Sequence, residues 1–245
     1  MELPIEAVLV FGGLFVAGIL KGATGIGYSS CALPFLVLAI GLKPAIGLLA
    51  IPAFTTNVMV SVSAGHFRAT VGRFWPLYLA LLPGIALGLA LLQGIDPAMP
   101  TRLLGGLIIL YGAMSLAWPG WRIRTGRRRL QIPIGLANGI LTGLTGSQIL
   151  PLMPYVLALK LKPAETIQAI NLAVLLASAA LGAMLIGMDM VSEDLLICSV
   201  LGIAPALLGV LIGNVVRKAM RRDQFRDLVL FVMVTIGSLL LFRQN

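Results

Sequence analysis

The sequence predicts an all-α polytopic membrane protein with two inverted-topology repeats, each a glycine-broken helix pair followed by three transmembrane helices. Three observations predict this fold. Of the 245 residues, 59% are apolar and only 11% are charged, whereas soluble domains carry about 25% charged residues. The apolar residues form runs long enough to cross a bilayer, which needs roughly 20 residues per helix. The chain also repeats a pattern after about 120 residues, a repeat size typical of secondary transporters.

The first half begins with an apolar stretch that is too long for one span. A glycine-rich run from Lys21 to Gly27 interrupts it, and such runs break helices. We therefore expect a helix of about 17 residues before the break and a shorter one near 29–40. Further helices are predicted at about 44–63, 74–92 and 102–116, with residues 66–73 in a loop.

A polar, basic linker at 119–131 then separates two repeats, which we place at 1–118 and 132–245. After the linker the same order of elements returns. The predicted elements are a helix at about 132–141, a break at 142–148, a short helix at about 149–160, and spans at about 163–187, 195–216 and 225–242.

The two halves match residue by residue around the breaks. Gly18–Gly25 and Gly139–Gly146 share six of eight residues. Pro34-Phe35 sets against Pro154-Tyr155, and each half then has a Leu-Lys-Pro-Ala turn. This similarity predicts a tandem duplication.

The distribution of charge predicts how the halves are oriented. Three connections are basic: residues 66–73, the linker, and the segment from Arg217 to Arg222. The positive-inside rule places basic connections in the cytoplasm. The acidic connection from Asp189 to Asp194 then falls outside. These four assignments are consistent with one another if each half crosses the membrane an odd number of times, and an odd number makes the repeats inverted. The conclusion is the same whether a broken helix pair spans the membrane fully or is re-entrant.

The two breaks are the predicted substrate site. In inverted-repeat carriers the site lies near the midplane at interrupted helices, where free backbone N–H groups and helix N-termini favour anions. Lys21 is the only lysine or arginine deep within an apolar run, and such residues are costly in lipid and usually functional. The candidate substrate-binding residues are Lys21, Gly25, Gly27, Ser29, Ser30, Asn57, Thr145, Gly146, Ser147, Gln148 and Asn171. The alternatives are a snorkelling lysine, helix caps, and amides that only join helices.

Several other functions are disfavoured. The net charge of +9 is explained by the positive-inside pattern, so no nucleic-acid partner is expected. Cys31 and Cys198 lie in apolar runs without metal or disulfide spacing, and we expect no metal and no cofactor. The predicted spans contain one Asp, Asp227 near the start of the last span, the only His lies in a loop, and no nucleotide-binding loop occurs, so we expect neither an enzyme nor direct ATP coupling.

These residues resemble those of the sulfite exporter TauE/SafE family of membrane permeases. The resemblance rests on the doubled glycine break with Pro34 and Pro154 and on the Lys-Pro-Ala turns, and it covers nearly the whole chain. The second break differs from the first, because Gln148 replaces Gly27 and no lysine matches Lys21. The resemblance implies transport of small anions such as sulfite, sulfonates or related organosulfur anions across the bacterial inner membrane.

The prediction is therefore a secondary transporter of small anions, working by alternating access in a multi-pass protein of the cell membrane. The expected partners are the anion, the lipid bilayer and a possible second copy of the chain. The alternatives are an anion channel, an intramembrane enzyme and a non-transporting scaffold.

Overall fold

The computed structural model describes residues 5–117, 128–219, 231, 234–235 and 237–241. All regular secondary structure among them is helical. The helices are α1 (Ile5–Thr24), α2 (Tyr28–Ile40), α3 (Leu42–Ala64), α4 (Phe67–Gly94), α5 (Ala98–Ala117), α6 (Gln131–Thr145), α7 (Leu152–Ala158), α8 (Pro163–Gly187), α9 (Glu193–Leu201) and α10 (Ile203–Ala219), with a short 3₁₀ turn at Arg128–Leu130.

Five helical segments of the described chain are long and apolar enough to cross a membrane: Ile5–Thr24, Leu42–Ala64, Phe67–Gly94, Pro163–Gly187 and Glu193–Arg217. The last segment comprises α9 and most of α10. This confirms the predicted helical, multi-pass fold. The span predicted at 225–242 lies mostly outside the described residues, as does most of the linker at 119–131.

Some predicted boundaries were wrong. Helix α4 begins at Phe67 rather than near residue 74, so Arg68 and Arg73 lie in its first turns instead of a loop. Helix α1 continues through Lys21 to Thr24, which places the lysine in the last turn and not in the break. Glycine has a low helix propensity, but Gly22 packs closely against another helix, and such packing outweighs propensity.

Each broken pair is a hairpin. In the first hairpin, Phe35 of α2 lies against Gly13 of α1, and Leu20 lies near Gly27. In the second, Asn138 of α6 donates to the Leu150 carbonyl at 2.9 Å. In each hairpin the residues of the second arm lie beside those of the first arm in reverse order. The chain therefore doubles back and leaves each hairpin on the side from which it entered.

The hairpins pack on helices from the opposite half. A Cβ added to Gly18 or Gly22 of α1 would strike the backbone of α10, and one added to Gly139 or Gly143 of α6 would strike the backbone of α4. Such small-residue contacts let backbones approach closely and replace the missing hydrophobic driving force within lipid. Gly84 and Gly88 of α4 and Gly209 and Gly213 of α10 form the other sides of the same contacts.

The packing divides most of the helices into two bundles. The first bundle contains α1, α2, α3, α9 and α10, and the second contains α4, α6, α7 and α8. Each bundle therefore mixes helices from both repeats. Helices α3 and α8 form the main contact between the bundles. Ala50 of α3 faces Gly182 of α8. Further along α3, the Ser61 carbonyl accepts a hydrogen bond (3.0 Å) from Gln168, which comes earlier in α8, in the amide orientation that gives this glutamine its hydrogen bonds. The two helices therefore run antiparallel.

Each hairpin tip contacts a long helix of the opposite repeat, and the two contacts are equivalent. Gly25 at the first tip lies against Ile167, and Gly146 at the second tip lies against Ile46. Ile167 is the fifth residue of α8, and Ile46 is the fifth residue of α3. Because α3 and α8 run antiparallel, the two tips lie near opposite ends of this helix pair.

The two ends of the molecule differ in charge. Gln131 at the start of α6 donates to the carbonyl of Arg73 at the start of α4 (3.0 Å), so both helices begin at one end. Gln93 at the end of α4 contacts Met190, which marks the other end. The first end carries Arg68, Arg73, Arg128, Arg129, Lys160 and Lys162 with one acidic residue, Glu165, and the second carries Asp96, Asp189, Glu193 and Asp194 with two basic residues, Lys43 and Arg102.

Candidate functional site

The two breaks have the same local structure. Each begins with a glycine of positive φ, Gly25 (81°) and Gly146 (72°), a conformation that residues with a Cβ rarely adopt. In each, the preceding threonine hydroxyl donates to the carbonyl four residues back and accepts from the N–H two residues on. These bonds are Thr24 to Leu20 (2.9 Å), Ile26 to Thr24 (3.3 Å), Thr145 to Leu141 (2.7 Å) and Ser147 to Thr145 (3.2 Å). The Thr145 hydroxyl is thus engaged within the turn itself.

Lys21 lies at the interface between the bundles. Its side chain is buried, and the ammonium nitrogen donates to the side-chain oxygens of Asn57 on α3 (2.5 Å) and Asn171 on α8 (2.9 Å). The Asn171 nitrogen in turn donates to the Gly25 carbonyl (2.8 Å), which ties the first tip to α8. Lys21 is the one charged side chain buried among the described residues. Its partners are neutral, so no carboxylate among them compensates its charge.

A small cavity lies between the second tip and α3. Its volume is about 10 Å³, enough for about one water molecule. It is lined by Ser29, Ile46, Leu49, Ala50, Ala53, Gly146, Gln148, Ser178 and Leu181. The first five belong to the first bundle and the other four to the second. The cavity therefore lies where the two bundles meet.

Two polar atoms of the cavity lining have no hydrogen-bond partner. The Ser29 hydroxyl and the Gln148 side-chain oxygen are both buried and unpaired. The Gln148 nitrogen donates to the Ser178 hydroxyl across a long 3.3 Å. Leaving a buried polar group unpaired costs about 1–3 kcal/mol, so such groups need a reason. A ligand that enters the cavity and pairs with them is one such reason.

The structure brings six of the predicted site residues together in two groups. Lys21, Asn57 and Asn171 form the buried cluster, while Ser29, Gly146 and Gln148 line the cavity. The remaining predicted residues are Gly25, which accepts from Asn171; Gly27, which precedes α2; Ser30, buried in the first turn of α2; Thr145, engaged in its own turn; and Ser147, whose buried hydroxyl is unpaired.

Ser178 is a cavity residue that the sequence reasoning missed. It lies in the middle of the apolar run of α8, and its hydroxyl contacts Gln148. The available signal was a polar residue within a predicted span, the same signal that identified Asn57 and Asn171. A single serine is a weak example of it, because serine is common in membrane helices as a packing residue.

The second break does not end at the helix N-terminus that the sequence predicted there. A helix was expected to begin near Ile149, which would have placed Ser147 and Gln148 at a helix N-terminus. Helix α7 instead begins at Leu152, and residues 147–149 have no regular structure. Pro151 accounts for the delay, because a proline disfavours helical geometry in the residue before it. No helix dipole therefore acts on Gln148 from this side, whereas Ser29 does lie in the first turn of α2.

Among the described residues, no group of three or more His, Cys, Asp or Glu side chains is placed to hold a metal ion. The cavity lining contains neither a charged side chain nor a thiol. The chemistry available in this cavity is hydrogen bonding from hydroxyl and amide groups, with apolar contact from Ile46, Leu49 and Leu181.

Comparison with known protein families matches residues 10–240 of the 245 to the family described as Sulfite exporter TauE/SafE. No curated protein and no solved structure matches the chain.

Proposed function

The chain belongs to the sulfite exporter TauE/SafE family, which makes it a membrane transporter for sulfur-containing anions, and on that premise we propose that it is a secondary carrier of sulfite or a small sulfonate. The observation that carries this proposal is the cavity at the bundle interface with its two unpaired polar groups, Ser29 and Gln148. Sulfur oxyanions accept hydrogen bonds, which the hydroxyl of Ser29 and the second N–H of the Gln148 amide can donate, while the unpaired Gln148 oxygen can accept one from a protonated oxyanion.

The size of the cavity supports a carrier rather than an open channel. About 10 Å³ holds about one water molecule, so an anion with three oxygens does not fit unless the bundles separate. All nine lining residues are buried. A site that lies between two bundles and must expand to bind its ligand is the arrangement that alternating access needs.

The pattern of contacts suggests which parts move. Close backbone contacts hold α1 to α10 within the first bundle and α4 to α6 within the second. Between the bundles, α3 and α8 meet through the cavity and through the Lys21 cluster. The interface between α3 and α8 contains a cavity and a buried polar cluster, whereas the two contacts within the bundles press backbone against glycine. We therefore take the two mixed bundles, and not the two repeats, as the parts that move against each other.

The proposed orientation follows from the charged ends. The end with Arg68, Arg73 and Arg128 faces the cytoplasm by the positive-inside rule, and the end with Asp189 and Glu193 faces outward. The antiparallel packing of α3 and α8, which open with the same Lys-Pro turn, supports repeats of inverted topology. The proposed location is the bacterial inner membrane.

Lys21 has a supporting role in this proposal. Its ammonium is held by Asn57 and Asn171 and does not line the cavity. It nevertheless places a buried positive charge at the same interface, which offsets the cost of bringing an anion there. Thr145 is left as a structural residue because its hydroxyl is used in its own turn.

The test is uptake of labelled sulfite into proteoliposomes that contain the purified protein. A carrier is expected to give saturable uptake and counterflow, in which unlabelled sulfite inside accelerates entry of the label. Uptake that rises linearly with concentration, without counterflow, would favour a channel. Absence of uptake in tight vesicles would refute transport of this anion.

A further inference from the structure

From the cavity we infer that the carrier selects its substrate by charge, taking the singly charged form of a sulfur oxyanion, such as hydrogen sulfite, and rejecting dianions. This inference rests on the proposed function and names the substrate class of the same site. It depends on the composition of the cavity lining and on the balance of buried charge around it.

The lining carries no charged side chain. Its polar groups are the hydroxyls of Ser29 and Ser178, the amide of Gln148 and the backbone of Gly146, and its other five residues are apolar. Neutral donors can replace part of the hydration shell of a monoanion. A dianion that leaves water requires far more compensation, which proteins ordinarily supply with arginine, lysine or a metal ion.

The unpaired oxygen of Gln148 also disfavours a second negative charge. Its partner nitrogen already donates to Ser178, so the oxygen is left as an acceptor at the cavity. A fully deprotonated oxyanion has only acceptor atoms to place beside it. Hydrogen sulfite in its O–H form can donate one hydrogen bond to this oxygen. The methyl group of a sulfonate cannot donate, but the lining offers it apolar contact, for example with Ala50 and Ala53.

The balance of buried charge at the interface also favours a monoanion over a dianion. Lys21 is the one charged side chain buried among the described residues, and its hydrogen-bond partners are neutral. One bound monoanion brings the charge of the interface to zero. A dianion would leave a net negative charge in a medium of low dielectric constant, where uncompensated charge is most costly.

The test compares three anions of similar size in proteoliposomes. Methanesulfonate is singly charged at every pH near neutrality, sulfate is doubly charged, and sulfite changes from one charge to two near neutral pH. We expect methanesulfonate to inhibit uptake of labelled sulfite competitively, and sulfate to inhibit more weakly by on the order of a hundredfold or more. As pH rises, the KM for total sulfite should rise in step with the loss of hydrogen sulfite.

The inhibition constant of methanesulfonate over the same pH series is the control for titration of the protein, in which Lys21 is the buried charged group that acts on the site. Methanesulfonate keeps one charge throughout, so the KM for total sulfite should rise more steeply with pH than this inhibition constant. An equal rise of the two would mean that only the protein titrates, and would overturn the inference. Inhibition by sulfate as strong as that by methanesulfonate, no inhibition by either, or a KM for total sulfite that does not rise with pH would also overturn it.

The site can be tested separately with a matched pair of variants. Ala53→Val narrows the apolar side of the cavity, and Ala179→Val adds the same two methyl groups at an exposed position of α8. Inhibition by methanesulfonate should weaken several-fold in the first variant and stay unchanged in the second. Equal effects would place the selective site elsewhere. Absence of saturable sulfite uptake by the wild type at every pH would refute the proposed carrier function. Saturable uptake with the opposite charge preference would refute only the inference about charge selection.

Discussion

The Lys21 ammonium donates to the side-chain oxygen of Asn171 over 2.9 Å, and this bond joins α1 of the first bundle to α8 of the second. The same nitrogen also binds Asn57 on α3, so one buried cation bridges the two helices that form the bundle interface. Neither partner is charged. A buried charge without a counter-ion is expensive, which suggests that its value lies in function rather than in stability.

The first prediction concerns Lys21→Met. The substitution removes a costly buried charge but leaves two amide oxygens unpaired, so the free energy of unfolding should change by less than about 2 kcal/mol. Sulfite uptake should suffer more. Lys21 binds Asn171, which lies seven residues before the cavity residue Ser178 on α8, so the charge is about 10 Å from the cavity at 1.5 Å per residue. A unit charge at that distance, at an effective dielectric constant of about 20, contributes about 1.7 kcal/mol, or more than tenfold in affinity. We expect the KM for sulfite to rise by about that factor.

Lys162→Met is the control for this experiment, because Lys162 is exposed at the start of α8. It should leave the KM unchanged. An unchanged KM in Lys21→Met, in protein with an unaltered melting temperature in detergent, would remove this lysine from the electrostatics of the site.

The second prediction separates a functional polar group from a structural one. Gln148→Leu removes an unpaired buried oxygen and one long hydrogen bond, so stability should be kept or should increase by about 1 kcal/mol. Transport should nevertheless be lost, because the amide donor is gone. Gln93→Leu, an exposed change at the end of α4, serves as control. Lower stability together with normal sulfite uptake would show that Gln148 only supports the fold.

The sequence predicted the fold better than it predicted the site. Hydropathy and the six identical residues of the two breaks predicted the helices and the duplication, because both depend on local pattern. The separation of Lys21 from the cavity could not be predicted, since it depends on how α3 and α8 cross. Ser178 was missed for the same reason: only the crossing brings it to Gln148.

The third prediction tests the glycine contacts that hold each bundle together. A Cβ at Gly22 would strike the backbone of α10 near Val210 and Gly213, and backbone cannot move aside cheaply. Gly22→Ala should therefore destabilise the protein by about 1–3 kcal/mol. Gly12→Ala lies in the same helix, with nothing within 4 Å of the added atom. It should be neutral or stabilising by up to about 1 kcal/mol. Equal melting temperatures for the two variants would contradict this packing.

The fourth prediction tests which parts move during transport. Ala50 on α3 and Gly182 on α8 face each other across the bundle interface, with 3.4 Å between the Ala50 Cβ and a Cβ built on Gly182. This is close to the Cβ separation of a disulfide. In a background with Cys31 and Cys198 replaced by alanine, the pair Ala50→Cys and Gly182→Cys should form a crosslink that abolishes sulfite uptake, with recovery on reduction.

A crosslink within one bundle provides the matched control. A Cβ built on Gly47 of α3 lies 3.2 Å from a methyl group of Val191, which is separated from α9 of the same bundle only by the N-cap residue Ser192. Gly47→Cys with Val191→Cys should also crosslink, yet uptake should continue, because α3 and α9 move together. If the first crosslink left uptake intact, the bundles defined by the glycine contacts would not be the moving parts. If both crosslinks blocked uptake, the repeats themselves would be the better candidates, since α3 belongs to one repeat and both α8 and α9 belong to the other.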